Sequence, residues 1–468
     1  MSSAELILPD CSATFRDPQG RLFGDGERVL REIYPEHVEP VLAWIRSSLA
    51  QEWIRQGRLI PTRILASVRG ESAVLEHERV FFPTYPWEWT PGQWRHAASL
   101  TLDLCEEALE SGYILKDATP LNILFKGSRG VFVDVLSFER REPRSPLWMA
   151  YAQFVRTFLL PLAAYIHLGW PLAATQQRRD GYEPGDLKPW LPFLRSWRHP
   201  LRSLVTLPAL LEGESGPENG VRSEFQKPKV SEEISARTIR RTLAATRRLL
   251  NALTPPARAS RWSGYAKTAH HYKAEDHAAK QTFVGRCLSS IRPGRILDVG
   301  ANTGVYSRIA AASGADVVAL DTDVRAADLN WQTAHSDGLS ILPIVGDFAR
   351  PTPAVGWSNC ESKSLLARVE GRFDCVLMLG ILHHLLVADQ IPLAAVIDQL
   401  ARISLRWAIV EWVPSEDPQF AELCRGREEL YRHLSEGYFL QAATRTFAIR
   451  DRERLSNGRS LWLMEATR

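Results

Sequence analysis

Residues 262–468 read as an α/β domain built on a parallel sheet, and residues 1–211 as a separate domain ahead of it. Three observations predict this. The 468 residues exceed one ordinary core, since domains average about 150 residues. Residues Glu212 to Glu233, EGESGPENGVRSEFQKPKVSEE, carry three glycines, two prolines and many charges but few apolar side chains, which is the composition of a linker. From about Ala274 onward, apolar strand-like runs alternate with helix-like runs, which implies a sheet covered on both faces.

The elements follow in order. The opening MSSAELILPDCSATF has neither a basic region nor a long apolar run, so no secretory signal is expected. Gly24-Asp25-Gly26 has the look of a hairpin turn, and Gly92 to Leu109 reads as a helix. Phe158 to Ala174 is the most apolar stretch; its 17 residues, broken by Pro161 and Pro171, fall short of the about 20 that a membrane span needs. A buried helix pair is expected there, with no membrane insertion. Residues 212–261 are read as linker and basic helix. Ser231 opens that helix, which runs to about Leu253 with Ile234, Ile239, Leu243, Leu249 and Leu250 apolar. Its cations, Arg237, Arg240, Arg241, Arg247 and Arg248, are read first as a solvated face and second as a nucleic-acid contact. Pro255-Pro256 ends it. AEDHAAKQTFVGRCLSSI is a helix closed by Pro293-Gly294. RILDVG (strand), Thr303 to Ser313 (helix), ADVVALD (strand), Arg325 to Ser336 (helix), LSILPIVGD and FDCVLMLG (strands), a helix through Leu400 and RWAIVEWV (strand) follow.

Composition narrows the function classes. Hydrophobic residues make up 45% and charged residues 24%, which excludes a disordered, collagen-like or coiled-coil protein. Cys11, Cys105, Cys287, Cys360, Cys375 and Cys424 form no C-x-x-C pair, so no zinc ribbon, thioredoxin-type site or disulfide framework is expected, and a reducing, cytoplasmic compartment fits. The net charge of +3 is uneven: from Arg295 onward 18 Lys+Arg face 22 Asp+Glu, giving −4, and the remaining 39 against 32 give +7. A mildly basic front permits an anionic partner without requiring one.

The sharpest motif is Asp298-Val299-Gly300-Ala301-Asn302-Thr303-Gly304, after a strand and before a helix. A glycine turn there lets backbone approach a ligand at a helix N-terminus. A dinucleotide fingerprint would need glycine at 302 and 305, where Asn and Val stand, and no Gly-Lys-Ser/Thr follows. Asp321 ends the next strand, 23 residues after Asp298, where a carboxylate can take both ribose hydroxyls. Asp347 ends the third strand beside Phe348, placed to accept from an adenine amino group and to stack on its ring. The fourth strand ends at Leu379-Gly380 and runs into His383-His384.

DVGANTG, the acidic end of VVALD, VGDF and FDCVLMLGILHHL together resemble the class I S-adenosylmethionine-dependent methyltransferases over about Trp262 to Arg468. The resemblance implies a Rossmann-like seven-stranded sheet. It places Asp298 and the turn from Gly300 to Gly304, shaped by Asn302, at the methionine end of S-adenosylmethionine, Asp321 at its ribose and Asp347 at its adenine, with Phe348 and Leu379 also cofactor-binding. Methyl transfer from a sulfonium is an in-line displacement that asks the protein mainly to position, to exclude water and sometimes to remove a proton. His383 or His384 is the candidate base, and Glu411 could line the acceptor pocket. The (Asp/Asn)-Pro-Pro-(Tyr/Phe) segment of amino-methylating nucleic-acid enzymes is absent. Upstream, Tyr265 and Tyr272 are candidates for contacting cofactor or acceptor. No set of residues has defensible metal-ligand spacing.

In the front half, Asp117 and Asn122 are spaced D-x-x-x-x-N and Asp134 follows twelve residues later, after the apolar run VFV. This resembles the catalytic segment of protein-kinase-like phosphotransferases, which implies an α+β kinase-like domain and, if active, Mg-ATP. Leu115-Lys116-Asp117 replaces His-Arg-Asp, Asp134-Val135-Leu136 lacks a glycine, and no phosphate-pairing Lys is recognisable; Arg28 or Arg31 is the candidate substitute. The whole order, LKDATPLNILF and VFVDVLSFE followed by the methyltransferase-like half, is similar to a bacterial family of methyltransferases with a kinase-like front domain that includes nodulation-associated proteins. The expected activity is therefore methyl transfer to an unidentified acceptor, small molecule or glycan-type. Alternatives are a bifunctional or ATP-sensing protein and an RNA methyltransferase. The resemblance leaves the acceptor and the oligomeric state open.

Overall fold

A computed structural model describes residues 17–25, 27–65, 72–214, 230–256 and 274–467. Cys11, Gly26, most of the expected linker and the segment holding Trp262, Tyr265 and Tyr272 lie outside the described residues. The chain divides into two compact units: Met1–Phe125 with Gly130–Ala257 and Val355–Ser362, and Lys126–Arg129 with Arg258–Ala354 and Lys363–Arg468.

The first unit is α+β. Strands β1 (Gly20–Asp25), β2 (Arg28–Ile33), β3 (Thr62–Ile64) and β4 (Ala73–His77) form an antiparallel sheet in the order β1-β2-β4-β3. The hairpin read at Gly24 and Asp25 joins β1 to β2, with Asp25 opposite Arg28. Two ribbons follow: β5 (Tyr113–Leu115) pairs with β8 (Phe138–Arg140), and β6 (Ile123–Lys126) with β7 (Arg129–Phe132). Helix α1 (Pro91–Glu110) starts at a capping box, in which Thr90 accepts from the Gln93 N–H and Gln93 accepts from the Thr90 N–H. Trp44 stacks on Phe138 at 4.8 Å and meets Trp53 edge-on at 5.5 Å, so these two tryptophans serve the core.

Two expectations change here. The apolar stretch is one helix, Leu160–Leu168, ended by left-handed Gly169 (φ 75°), with a 3-10 turn at Leu172–Gln176 in place of a second helix. Its Leu160, Leu162, Ala163 and Ala164 are buried. Among the described residues, no helix is long and apolar enough to cross a membrane. Helix α2 (Glu232–Ala252), read as part of a linker, belongs to the first unit. Ser231 caps it, Ile239, Leu243, Leu249 and Leu250 are buried, and Ile234 is exposed. Arg247 of α2 reaches Asp103 (2.7 Å) and Glu106 (3.0 Å) of α1, so one of the five arginines read as a solvated face is an intramolecular partner.

The second unit is a seven-stranded sheet. Its strands are β9 (Arg295–Val299), β10 (Asp316–Asp321), β11 (Ile341–Val345), β12 (Phe373–Met378), β13 (Ser404–Trp412), β14 (Phe447–Arg454) and β15 (Ser460–Ala466), in the order β11-β10-β9-β12-β13-β15-β14. β9 to β13 pair in parallel, and β15 is antiparallel to both β13 and β14. The central strands are buried along almost their whole length, which is why their sequences read as unbroken apolar runs. Helices α3 (Ala274–Ile291), α4 (Val305–Ala312), α5 (Val324–Ser336), α6 (Leu382–Val387) and α7 (Leu393–Ile403) connect or precede them. The single helix expected through Leu400 is two, α6 and α7, parted by Gln390 (φ 56°) and Pro392.

Candidate functional site

β9 lies at the centre, between β10 and β12. The chain winds outward one way through β10 and β11, then returns to wind the other way through β12 and β13. That reversal makes the carboxyl ends of β9 and β12 the switch point of the sheet, the place where sheets of this kind take ligands.

The glycine turn stands at that place. Gly300, Asn302 and Gly304 have φ of 74°, 51° and 80°. A Cβ on Gly300 would lie 2.9 Å from the Ile381 side chain, and one on Gly304 would collide with Asn330 at 2.0 Å, so both positions require glycine. The N–H groups of Gly300 and Ala301 donate to the Leu320 carbonyl at 2.9 and 3.1 Å, tying the turn to β10. The Asn302 N–H donates to Asp321 Oδ2 (2.6 Å) and the Asp323 N–H to Asp321 Oδ1 (2.8 Å). Burial raises the Asp321 carboxyl above its usual range, against the pull of those backbone donors. Asp298 is buried beneath, accepts from the Ser307 hydroxyl at 2.6 Å, and burial pushes its carboxyl up to about 6. Among the described residues no cation pairs with either aspartate.

Asp347 is anchored differently. Its Oδ1 accepts from the Ala349 and Arg350 N–H groups at 2.8 and 3.2 Å, and Oδ2 pairs with the Arg350 guanidinium at 3.1 Å. The Gly346 N–H donates to the Asp321 carbonyl, so the ends of β10 and β11 adjoin, with Phe348 half-buried beside them. Leu379 is buried and Gly380 takes φ 74°. The structure thus gathers Gly300, Asn302, Asp321, Asp347 and Leu379 at one edge of the sheet.

Behind Gly380 lies a charged cluster that sequence reasoning found only in part. Glu411, fully buried in β13, meets Lys280 of α3 at 2.5 Å and Arg459 at 3.4 Å. Arg459 in turn holds Asp417 through Nε (2.7 Å) and Nη2 (3.0 Å). Lys280 lies 4.8 Å from the centre of the Tyr306 ring. Glu411, read as lining an acceptor pocket, is engaged on both oxygens. Lys280, Arg459 and Asp417 were missed. The available signal was the stripe Lys280, Phe283, Val284, Cys287, Leu288, whose spacing puts Lys280 on the buried face of α3.

His383 is buried with no partner on either ring nitrogen, and burial holds it neutral, far below the ordinary histidine range. His384 is half-buried, with its ring 4.4 Å away.

Asp117, Asn122 and Asp134 gather in the first unit instead. Asn122 donates to the Asp117 carbonyl (3.2 Å) and to Ser137 Oγ (3.1 Å), and Ser137 donates to Asp134 (2.6 Å). Arg31 bridges Asp134 (2.9 Å) and Asp17 (3.1 Å), whereas Arg28 goes to Glu76. Of the two arginines read as substitutes for a phosphate-pairing lysine, Arg31 thus meets the acidic cluster, and it neutralises Asp134. Burial, then the nearby Asp134 charge, raises the Asp117 carboxyl. Among the described residues, no group of His, Cys, Asp and Glu is arranged to hold a metal ion.

The sheet order and the turn define a doubly wound, Rossmann-like α/β domain. Across 444 residues the chain is 27% identical to the nodulation protein NoeA of Rhizobium meliloti (strain 1021), covering 92% of this chain and 90% of that one. No family model matches it. Among solved structures, the N-methyltransferase NodS of Bradyrhizobium japonicum WM9 is 13% identical at a TM-score of 0.31, covering 42% of this chain and 99% of its own. Magnesium protoporphyrin IX methyltransferase of Synechocystis PCC 6803, solved with bound SAH, is 18% identical at a TM-score of 0.32, covering 41% and 84%.

Proposed function

We propose that the second unit binds S-adenosylmethionine and transfers its methyl group to a small-molecule or glycan-type acceptor. The observation that carries the reading is the Gly300–Gly304 turn set against Asp321 at the switch point of the sheet. The residues fit the cofactor. Asp321 accepts backbone N–H groups, from Asn302 on Oδ2 and from Asp323 on Oδ1, and keeps lone-pair capacity for a ribose hydroxyl. The left-handed turn brings backbone close to a ligand without a side chain in the way. Asn302 in place of glycine, and the absent lysine, speak against a dinucleotide or a nucleoside triphosphate.

When bound, S-adenosylmethionine supplies an electrophilic methyl carbon on a sulfonium. The chain holds and orients it. Asp298, sealed under the turn and bonded to Ser307, fixes the turn. Leu379 borders the switch point, Asp347 and Phe348 flank the adenine side, and His384, the more accessible imidazole, takes a proton from the acceptor where one must leave. Neutral His383 offers one nitrogen as a hydrogen-bond acceptor whichever tautomer it adopts. Glu411, with Lys280 and Arg459, is a positioning group beneath Gly380.

Isothermal titration calorimetry with S-adenosylmethionine tests the reading. The wild type should bind, and Asp321→Ala and Gly300→Val should each lose affinity. Absence of binding by the wild type, or unchanged binding in both variants, overturns it.

A further inference from the structure

The first unit carries an exposed apolar surface that its own core leaves uncovered. Trp190, Phe193, Leu194 and Trp197 project from one short segment, with Phe193 75% and Leu194 77% exposed. Phe193 and Trp197 touch edge-on at 6.4 Å, so they share a face. Leu207, Leu210 and Leu211 lie at i, i+3 and i+4 on the adjoining helix Leu207–Glu214 and are exposed as well. Large apolar side chains grouped in this way mark an interaction surface.

The segment is fastened from within. Leu191, Leu201, Leu204 and Val205 are buried, and the Thr206 hydroxyl donates to the Ser196 carbonyl at 2.5 Å. The outward residues therefore stand on an anchored platform.

Charge selects the partner. Lys188 to Leu211 contains four cations, Lys188, Arg195, Arg198 and Arg202, and no Asp or Glu. Arg195, Arg198 and Arg202 are exposed and alternate along the chain with the apolar residues. Protein interfaces also take aromatic and arginine side chains, but they deplete charge from their apolar centre. Aromatic and leucine side chains interleaved with cations instead match the edge of an anionic bilayer, where rings sit at headgroup level and cations meet phosphates. We infer that this face adsorbs to an anionic lipid surface, lying on it without spanning it. The inference does not depend on the methyl-transfer reading, because no residue of the second unit enters it.

Cosedimentation of the full chain with vesicles tests it. The protein should pellet with phosphatidylcholine–phosphatidylglycerol vesicles at low salt, and much less with phosphatidylcholine alone. At about fivefold per cation, Arg195→Ala with Arg198→Ala should weaken adsorption roughly 25-fold. Phe193→Ser with Leu194→Ser should abolish it, with thermal unfolding unchanged because both side chains are exposed. No adsorption by the wild type overturns the inference, as does adsorption undiminished in both variants. Self-association of the wild type that the Phe193/Leu194 variant abolishes, without vesicle binding, would make the face a contact between copies and equally overturn it.

Discussion

In the first unit Asp134 meets a guanidinium, whereas in the second Asp298 and Asp321 meet only neutral donors. Both clusters sit at the end of a short apolar strand, and both suffer from burial. Arg31 satisfies Asp134 from inside the fold. Ser307 holds Asp298 beneath the turn, and the backbone amides satisfy Asp321 only in part, which leaves it lone-pair capacity for a ligand. A carboxylate cluster is therefore read by its counter-ions: one that carries its own cation is structural, and one held by N–H and O–H groups is available. Glu411 marks the extreme of the first kind, fully buried between Lys280 and Arg459.

That extreme yields the largest expected effect. Lys280→Met leaves Glu411 buried with Arg459 at 3.4 Å as its remaining ion-pair partner. Removing one partner of a buried pair costs about 3–5 kcal/mol. Lys280→Met with Glu411→Gln should recover most of it. Urea unfolding of the three proteins checks this, and a single variant as stable as wild type would show that the pair is not a structural tie.

Asp298 of the second unit and His77 of the first should carry opposite pH dependences. Asp298 titrates at about 6 in the fold, raised by burial, so its contribution is full below the unfolded value and is lost as pH rises through 6. A shift of about two units corresponds to roughly 3 kcal/mol. His77 is lowered to about 4, chiefly by burial and then by the Arg31 charge, so its contribution is full above the unfolded value and is lost as pH falls through 4. Because His383 in the second unit and Asp117 in the first pull the other way, the readout is the variant against the wild type: between pH 4 and 6, hydrogen exchange should show Asp298→Asn gaining relative stability in the second unit as pH rises, and His77→Gln losing it in the first. A difference between either variant and the wild type that stays constant across that range would break the comparison.

Arg31→Met should cost less, about 2 kcal/mol, because Asp134 and Asp17 are each about a fifth exposed and reach water. With Asp134 occupied by Arg31, Mg-ATP should not shift the melting temperature of the wild type. A clear shift would show that the cluster opens to a ligand despite its cation.

How much of this was legible follows from where each partner lies in the sequence. The strands and the glycine turn were readable because their signals are local: apolar runs and a short motif. The break at Gln390 and Pro392 was visible as a proline yet was read through. Arg31 and Asp134 lie 103 residues apart, and Lys280 and Glu411 lie 131 apart, so no local pattern joins them. Lys280 betrayed itself only as a cation on an apolar stripe. Arg459 follows the polar turn Ser456-Asn457-Gly458 and carries no such mark.

The comparison is sharpest, and its effects smallest, at the switch point itself. Among the described residues Asp321 pairs with no cation and Asp347 pairs with Arg350, so one sheet edge holds both kinds of carboxylate. If availability follows counter-ions, Asp321→Ala should weaken S-adenosylmethionine binding about 10- to 100-fold, the worth of a hydrogen bond to a charged group. Asp347→Asn should cost only severalfold, since its carboxylate already accepts two N–H groups and a guanidinium. Calorimetry on both variants decides. Equal losses would mean that Arg350 swings aside for the ligand, a motion open to it because its guanidinium is largely exposed and its pairs with Asp347 and Asp389 are held at the surface.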